Sequence, residues 1–210
     1  MTLTRSLLAV AAAFGALLWY AEGAATRALA EREVGWGARI RPGDLVFQDL
    51  ACGRRCDLIR AITDSPYSHV GIVVDDDGDR RVWEAYEGVS AVPLADWVRR
   101  GMGRRVAVYR PVEDAPGLER ALRAYAGRPY DGFYRWDDER IYCSELIAKA
   151  YARLGRPFEP HPVELGAFRD EIERLSGGRL TDGTPMVTPI DLIHSGRFLR
   201  VLDELHDRAR

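Results

Sequence analysis

Residues 142–154 read Tyr-Cys-Ser-Glu-Leu-Ile-Ala-Lys-Ala-Tyr-Ala-Arg-Leu, and this stretch predicts the clearest helix of the chain. Its apolar residues recur every three or four positions and form one stripe, as in a helix that packs against a core. Glu145 in the first turn suits the helix dipole, and Gly155 is suited to close the last turn. We therefore predict a helix over Cys143–Leu154, with Cys143 in its first turn.

The position of Cys143 favours a reactive thiol. Unpaired N–H groups and the dipole at a helix N-terminus stabilise an anion, so they lower the pKa of a cysteine placed there. A nucleophilic cysteine also needs a base, and the base needs a partner that orients it. A cysteine ahead of an apolar stripe can equally be a packing residue, so the interpretation depends on whether the chain supplies such a base.

A predicted β-hairpin supplies the candidate base. His69–Val74 is apolar and β-branched, and Arg81–Tyr86 has the pattern of a second strand. Asp77-Gly78 between them is a natural two-residue turn. We therefore predict two antiparallel strands, the first of which begins with a histidine.

Strand pairing in this hairpin places a carboxylate beside the imidazole. With Asp77-Gly78 as the turn, Gly71 lies opposite Glu84 and His69 lies opposite Tyr86. His69 and Glu84 are then diagonal neighbours on one face of the sheet, and a turn one residue earlier would place them directly opposite. A carboxylate at this position fixes the histidine tautomer and supports its charged form. Strand pairing places no carboxylate beside the other histidines, which are His161, His194 and His206.

The remaining pattern predicts an α+β domain, because strands cluster in the middle of the chain with helices on either side. The predicted strands are Leu45–Gln48, Arg104–Arg110 and Phe198–Leu202. The predicted helices are Arg54–Ile62, Pro93–Arg100, Leu118–Ala126, Val163–Leu175 and a short one that starts at Thr188-Pro189.

The amino terminus predicts export. Ser6–Ala21 contains no charged residue and follows Arg5, the arrangement of a signal peptide. The run is marginal in length for a membrane span, but Trp19 and Tyr20 would suit a membrane interface. Residues 1–25 are thus a signal peptide or a single membrane anchor. Both alternatives place Glu31–Arg210, the expected working domain, on the periplasmic or extracellular side of a membrane, with possible proximity to that membrane.

The composition fits a globular protein with its own core and excludes a general nucleic-acid binder. The chain has 210 residues, of which 47% are hydrophobic and 30% are charged. This length fits one large domain or two small ones. The 30 basic and 32 acidic residues give a net charge of -2, whereas nucleic-acid binders usually carry a basic excess.

The three cysteines include one closely spaced pair, Cys52 and Cys56. In an oxidising compartment this pair is able to close a small disulfide, although so short a loop demands special geometry. A structural zinc site formed with His69 is the alternative, but two thiols without a second pair nearby are a weak zinc signal. The disulfide would leave Cys143 as the unpaired cysteine.

Several motifs occur together in an order that resembles one enzyme family. They are Gly-Asp-Leu-Val-Phe at Gly43–Phe47, Ser-Pro-Tyr-Ser-His-Val-Gly-Ile at Ser65–Ile72, Val-Trp-Glu-Ala at Val82–Ala85, Ile-Tyr-Cys-Ser-Glu-Leu at Ile141–Leu146, and Thr188-Pro189 with Asp191. Together they resemble the YiiX/YebB-like cysteine hydrolases, a permuted branch of the NlpC-type papain-like superfamily. The resemblance covers roughly Arg41 to Leu202, and His69 precedes Cys143 as in that branch.

The resemblance implies a circularly permuted papain-like α+β domain, with an antiparallel central sheet and the nucleophile helix packed against it. It implies Cys143 as the nucleophile, His69 as the general base and later the acid, and Glu84 as the residue that orients His69. Gly127-x-Pro129-Tyr130 resembles a Gly-x-Pro-Tyr motif of NlpC-type enzymes in which the tyrosine lines the site. Tyr130 is therefore a candidate donor to the oxyanion, with a packing role as the alternative. No metal and no cofactor are implied.

The function implied by the resemblance is that of an exported thiol hydrolase that cleaves amide or ester bonds through a Cys-His-Glu acyl-enzyme mechanism. The expected substrate is a cell-wall peptide or a lipid acyl compound. The alternative is a catalytically silent module of the same fold that binds a lipid or a peptide in the same cleft.

Overall fold

The computed structural model describes residues 38–206 of the chain, and its compact unit begins at Arg41. The predicted signal peptide or membrane anchor at residues 1–25 lies outside the described residues, and so does the expected start of the domain at Glu31. Among residues 38–206, no helix is at once long enough and apolar enough to cross a bilayer.

Antiparallel strands form the centre of the unit. The strands are β1 Leu45–Gln48, β2 His69–Asp76, β3 Asp79–Ala85, β4 Val89–Pro93, β5 Ala107–Pro111, β6 His161–Pro162, β7 Pro185–Met186 and β8 Phe198–Asp203. A six-stranded sheet has the order β4-β3-β2-β1-β5-β8, and each neighbouring pair is antiparallel. β6 and β7 form a separate two-stranded sheet.

Helices connect these strands and lie against the sheet. They are α1 Arg54–Thr63, α2 Leu94–Arg100, α3 Leu118–Arg123, α4 Cys143–Arg153, α5 Arg169–Ser176 and α6 Pro189–His194. Short 3-10 turns occur at Met102–Arg104 and Gly166–Phe168.

α4 packs against one face of the sheet and forms the main core with it. Its residues Leu146 and Ile147 are fully buried together with Phe47 of β1 and Ile72 of β2. Removing each such side chain from water contributes about 1.5–3 kcal/mol to the stability of the fold. The α+β class, the antiparallel central sheet and the packing of the predicted nucleophile helix are therefore confirmed.

The β2–β3 hairpin has the predicted turn. Ile72 lies opposite Trp83, and the same register makes Asp77 and Gly78 the two residues of the turn. Their φ angles are +55° and +90°, which is the left-handed backbone that a tight turn between twisted strands requires. The Asp75 carboxylate accepts a hydrogen bond from the backbone N–H of Gly78 at 2.8 Å and stabilises the turn.

The other face of the sheet is covered by α2. Trp97 of α2 is fully buried next to Gly71 of β2. A Cβ atom at Gly71 would lie 3.0 Å from the Trp83 carbonyl oxygen and 3.3 Å from Nε1 of Trp97. A methyl group of Val82 would be only 2.3 Å away. Glycine at this position therefore allows α2 to approach the sheet closely, two residues along the strand from His69.

The helix predicted over Val163–Leu175 is wrong at its start, because α5 begins only at Arg169. The backbone N–H of Val163 donates to the Thr184 carbonyl at 3.0 Å, and the Gly183 N–H donates to the Val163 carbonyl at 2.9 Å. These bonds to the neighbouring segment take the place of the first helical turn. The apolar spacing at this point reflects burial in a small cluster rather than a helix.

Two further boundaries differ from the predictions. The sequence pattern begins a helix at Pro93, whereas Val89–Pro93 is the edge strand β4, which pairs with β3, and α2 begins at Leu94. The strand predicted over Arg104–Arg110 begins at Ala107, since a 3-10 turn precedes it. The edge strand has a partly exposed, mixed sequence, so it lacks the alternation that identifies a half-buried strand.

We expect Gly71→Ala to lower the free energy of unfolding by about 1–3 kcal/mol, because the added methyl group overpacks its contacts with Val82 and Trp83 of β3 and with Trp97 of α2. Urea denaturation followed by tryptophan fluorescence measures this change. Gly132→Ala is the matched control, since the nearest atom to a Cβ there is the flexible tip of Arg55 at 3.8 Å. Equal stability of the two variants would contradict this tight packing around Gly71.

Candidate active site

α4 presents Cys143 at the N-terminal end of the helix. Oε2 of Glu145 accepts a hydrogen bond from the backbone N–H of Tyr142 at 3.0 Å and caps the helix. The Tyr142 hydroxyl accepts another from the backbone N–H of Val187 at 3.1 Å, so the residue before the cysteine is held at both ends. Cys143 is only 4% exposed. The first turn of α4 thus holds a buried thiol where the helix dipole favours an anion.

β2 and β3 bring His69 and Glu84 together. Nε2 of His69 lies 2.7 Å from Oε2 of Glu84, and both side chains are almost completely buried. The observed register, continued by one pair, sets Glu84 opposite Gly71, so the two residues are the predicted diagonal neighbours. The bond to Glu84 occupies Nε2 and leaves Nδ1 of the ring for the cysteine.

His69 and Cys143 interact strongly enough for each to shift the pKa of the other. Burial alone would lower the pKa of His69, but the bonds to Cys143 and Glu84 raise it to about 9. Burial alone would raise the pKa of the Cys143 thiol, but the hydrogen bond to His69 and the charge of the imidazolium lower it. The site therefore favours a thiolate–imidazolium pair.

Two backbone groups add to the stabilisation of the thiolate. The backbone N–H groups of Val70 and Ser144 help to lower the pKa of the Cys143 thiol. One of these donors belongs to the hairpin and the other to α4. The sulfur is therefore held between the two elements that carry the predicted base and the predicted nucleophile.

The second oxygen of Glu84 contacts a residue that the sequence analysis did not select. Oε1 accepts a hydrogen bond from the guanidinium group of Arg100, at the C-terminal end of α2. Burial alone would raise the pKa of Glu84, but His69 and Arg100 together lower it. Sequence pattern offers no signal for Arg100, because only the packing of α2 brings it to the carboxylate.

Two aromatic rings flank the imidazole of His69. Trp97 stacks beside it with ring centroids 6.2 Å apart, and Tyr86 approaches edge-on at 5.8 Å. The guanidinium carbon of Arg100 lies 4.5 Å from the centroid of the same Tyr86 ring. These contacts hold the plane of the imidazole and exclude water from it.

Tyr130 lies on a loop that is tied to the start of α4. The backbone N–H of Ile141 donates to the Pro129 carbonyl at 3.0 Å, next to Tyr130. Tyr134, four residues further along the same loop, acts on the pKa of Tyr130. Burial raises the pKa of Tyr130 well above its ordinary value, and the charge of Cys143 adds to this shift. The neutral phenol of Tyr130 therefore lies within electrostatic range of Cys143, and its role as an oxyanion donor stays a prediction.

A small apolar cleft of about 40 Å³ lies beside Cys143. A second cleft of about 50 Å³ adjoins it and shares four of its lining residues. The shared residues are Ile59, Ile62, Tyr134 and Leu180. A substrate with an apolar group therefore has space next to the thiol.

Cys52 and Cys56 form a disulfide at the start of α1, with their Cα atoms 5.4 Å apart. The zinc alternative is therefore wrong for this pair, since neither sulfur is a free thiolate. Among residues 38–206, no group of three or more His, Cys, Asp and Glu side chains could hold a metal ion. Cys143 is the free cysteine of the chain, as the sequence analysis expected for a disulfide at this pair.

The fold and site together define a papain-like domain of permuted chain order, in which the histidine strand precedes the cysteine helix. A family model described as "Permuted papain-like amidase enzyme, YaeF/YiiX, C92 family" matches residues 39–202, and the chain belongs to this family. The family is one of cysteine-type amidases and peptidases. The resemblance inferred from the motifs and the fold it implied are confirmed.

Two relatives illustrate the similarity. The uncharacterized protein YiiX of Escherichia coli (strain K12) is 34% identical over 114 residues, which are 52% of this chain and 56% of YiiX. The chain therefore matches about half the length of that relative. A solved structure titled as metalloprotein yiiX from Escherichia coli O157:H7 has 25% sequence identity and a TM-score of 0.68, and the match covers 79% of this chain and 98% of that chain.

We expect Cys143 to be alkylated rapidly well below the ordinary thiol pKa of about 8.5, and His69→Ala to slow this reaction about tenfold at pH 6–7 because the imidazolium is lost. The rate of alkylation by iodoacetamide against pH, read by intact mass, measures both effects. His161→Ala is the control, since His161 contacts Asp191 at an exposed position. A thiol that titrates normally, with no effect of His69→Ala, would show that the ion pair does not form.

Proposed function

We propose that the protein is an exported thiol hydrolase that cleaves amide or ester bonds through an acyl-enzyme. The observation that carries this proposal is the buried series of Cys143, His69 and Glu84, in which Glu84 is hydrogen-bonded to His69 and His69 lowers the pKa of Cys143. Each charge in the series stabilises the next, which is the arrangement that activates a cysteine nucleophile. Membership of a cysteine-type amidase family supports the same reaction class.

The reaction begins when Sγ of Cys143 attacks the substrate carbonyl carbon and forms a C–S bond. The backbone N–H of Cys143 and the hydroxyl of Tyr130 are the donors that we assign to the resulting oxyanion. His69 then gives its proton to the leaving amine or alcohol as the C–N or C–O bond breaks, which leaves a thioester on the sulfur. Neutral His69 takes a proton from water, whose oxygen attacks the thioester. The acid product leaves, and the thiolate and imidazolium return.

The cleft supports a lipid acyl substrate over a cell-wall peptide. The described residues that line the cleft beside Cys143 include no Asp, Glu, Lys, Arg or His. A charged peptide group buried there would lose its hydration without a partner, and this is costly. An acyl chain instead gains about 0.8 kcal/mol for each buried CH₂ group. We therefore propose an amide or ester of a lipid acyl group as the substrate.

The proposed location is the periplasmic or extracellular side of a membrane. The uncharged run Ser6–Ala21 after Arg5 supports export. The disulfide between Cys52 and Cys56 supports it independently, since disulfides form and persist mainly in oxidising compartments.

The solved relative is titled a metalloprotein, which raises the question of whether the residues of this chain could coordinate a metal ion. Three or four nitrogen, oxygen or sulfur ligands converge in protein metal sites. The described residues contain no such group, and the sulfurs of Cys52 and Cys56 are bonded to each other. These residues do not fit a metal centre, and no step of the proposed reaction uses one.

We expect the wild-type protein to hydrolyse p-nitrophenyl esters with a rate that increases with acyl chain length, and Cys143→Ala to lower kcat at least about a thousandfold. The rate should rise with pH as Cys143 ionises through its lowered pKa and fall as His69 loses its proton near pH 9. Muropeptide amides assayed in parallel test the other substrate class. If Cys143→Ala still binds acyl ligands and the wild type never turns them over, the protein is a binding module.

We expect Ile62→Asn to raise KM for the longest acyl ester about tenfold, the loss that corresponds to about 1.4 kcal/mol of apolar contact. Ile62 lines both clefts from α1. Ala61→Asn places the same side chain one residue earlier at an exposed position, so it controls for any effect on the helix itself. An equal increase of KM in both variants would argue against acyl binding in this cleft.

A further inference from the structure

We infer that Arg100 is a positioning residue of the proposed reaction, whose guanidinium group holds Glu84 so that Glu84 keeps His69 aimed at Cys143. This inference rests on the proposed function, because it assigns a role within the same site. Arg100 acts through Glu84 and His69 and does not contact the reacting atoms.

The two oxygens of Glu84 are divided between two donors. Oε2 lies 2.7 Å from Nε2 of His69, and Oε1 accepts from the guanidinium group of Arg100. A carboxylate held at both oxygens cannot rotate about its last bond without losing both contacts. The Glu84 side chain is 2% exposed and that of Arg100 is 29% exposed, so the arginine covers the carboxylate on its solvent side.

A second cation is needed because the charge of His69 changes during the reaction. His69 is an imidazolium when the thiolate attacks and a neutral imidazole after it protonates the leaving group. At that stage a buried Glu84 with His69 as its only partner would lose its counter-charge, which is costly in the protein interior. A guanidinium group is a permanent cation in proteins, so the contact with Arg100 leaves Glu84 a counter-charge through both stages.

α2 delivers Arg100 together with an aromatic neighbour of the histidine. Trp97 and Arg100 are three residues apart, so they share one face of the helix. Trp97 stacks beside His69, and Arg100 lies over the Tyr86 ring that approaches His69 edge-on. The ionisable groups that act most strongly on Glu84 are therefore His69 from β2 and Arg100 from α2.

The test is the pH dependence of Cys143 alkylation in the folded full-length protein without reductant, because the disulfide leaves Cys143 as the reactive thiol. We expect Arg100→Gln to raise the apparent pKa of the alkylation reaction by about one unit, which slows alkylation at pH 6 about tenfold. Arg100→Lys should recover at least half of this shift, because it restores the positive charge. Arg99→Gln is the matched control, since Arg99 pairs with Asp96 on the exposed side of the same helix.

If Arg100→Gln does not fold, Arg100→Met takes its place as the neutral variant. It keeps an unbranched side chain over Tyr86 and should shift the pH profile in the same direction. Urea denaturation shows which variants are folded, and a purely structural role would change stability without moving the pH profile. The role of Arg100 is overturned if the pH profile of folded Arg100→Gln or Arg100→Met superimposes on that of the wild type. It is also overturned if Arg100→Lys recovers none of the shift in apparent pKa. Either result leaves the proposed function standing. A wild-type thiol that titrates near pH 8.5 overturns both.

Discussion

Three ionisable side chains lie next to one another with almost no access to water, and the structure around them depends on their mutual neutralisation. His69, Glu84 and Cys143 are each at most 4% exposed. A single charge at this depth costs several kcal/mol, so each ion is tolerated only because an opposite charge touches it. The hairpin, α4 and α2 converge on this point, and each contributes a side chain to the charged cluster.

The hairpin and α4 were accessible from sequence because their geometry is local. Successive strand residues alternate between faces, so the position of the Asp77-Gly78 turn decides which side chains meet. This alternation alone predicts that His69 and Glu84 lie on the same face of the sheet. The apolar stripe after Cys143 likewise identifies a helix and the end at which the cysteine lies. In both cases the deciding contacts join residues that are close along the chain.

The features that sequence could not predict depend on packing between distant segments. Arg100 and Trp97 reach the site only because α2 packs closely against the sheet at Gly71, and no spacing within α2 marks either residue. The start of α5 was misplaced for a related reason. Residues near Val163 satisfy their backbone groups with the segment around Thr184, and this pairing overrides a helical apolar pattern. The effect of Tyr134 on the pKa of Tyr130 also depends on how the loop folds against α4, so the sequence pattern does not predict it.

The order of these elements along the chain has a consequence for folding. The β2–β3 hairpin closes through a two-residue turn, so His69 and Glu84 meet through contacts that form quickly. Cys143 comes from a later segment of the chain. Its thiol interacts with the imidazolium of His69 only when α4 has docked on the sheet. Until then its thiol has ordinary acidity and is a poor nucleophile at neutral pH. The lowered pKa of Cys143 is therefore a property of the completed fold, and before α4 docks the thiol is less able to exchange with the Cys52–Cys56 disulfide.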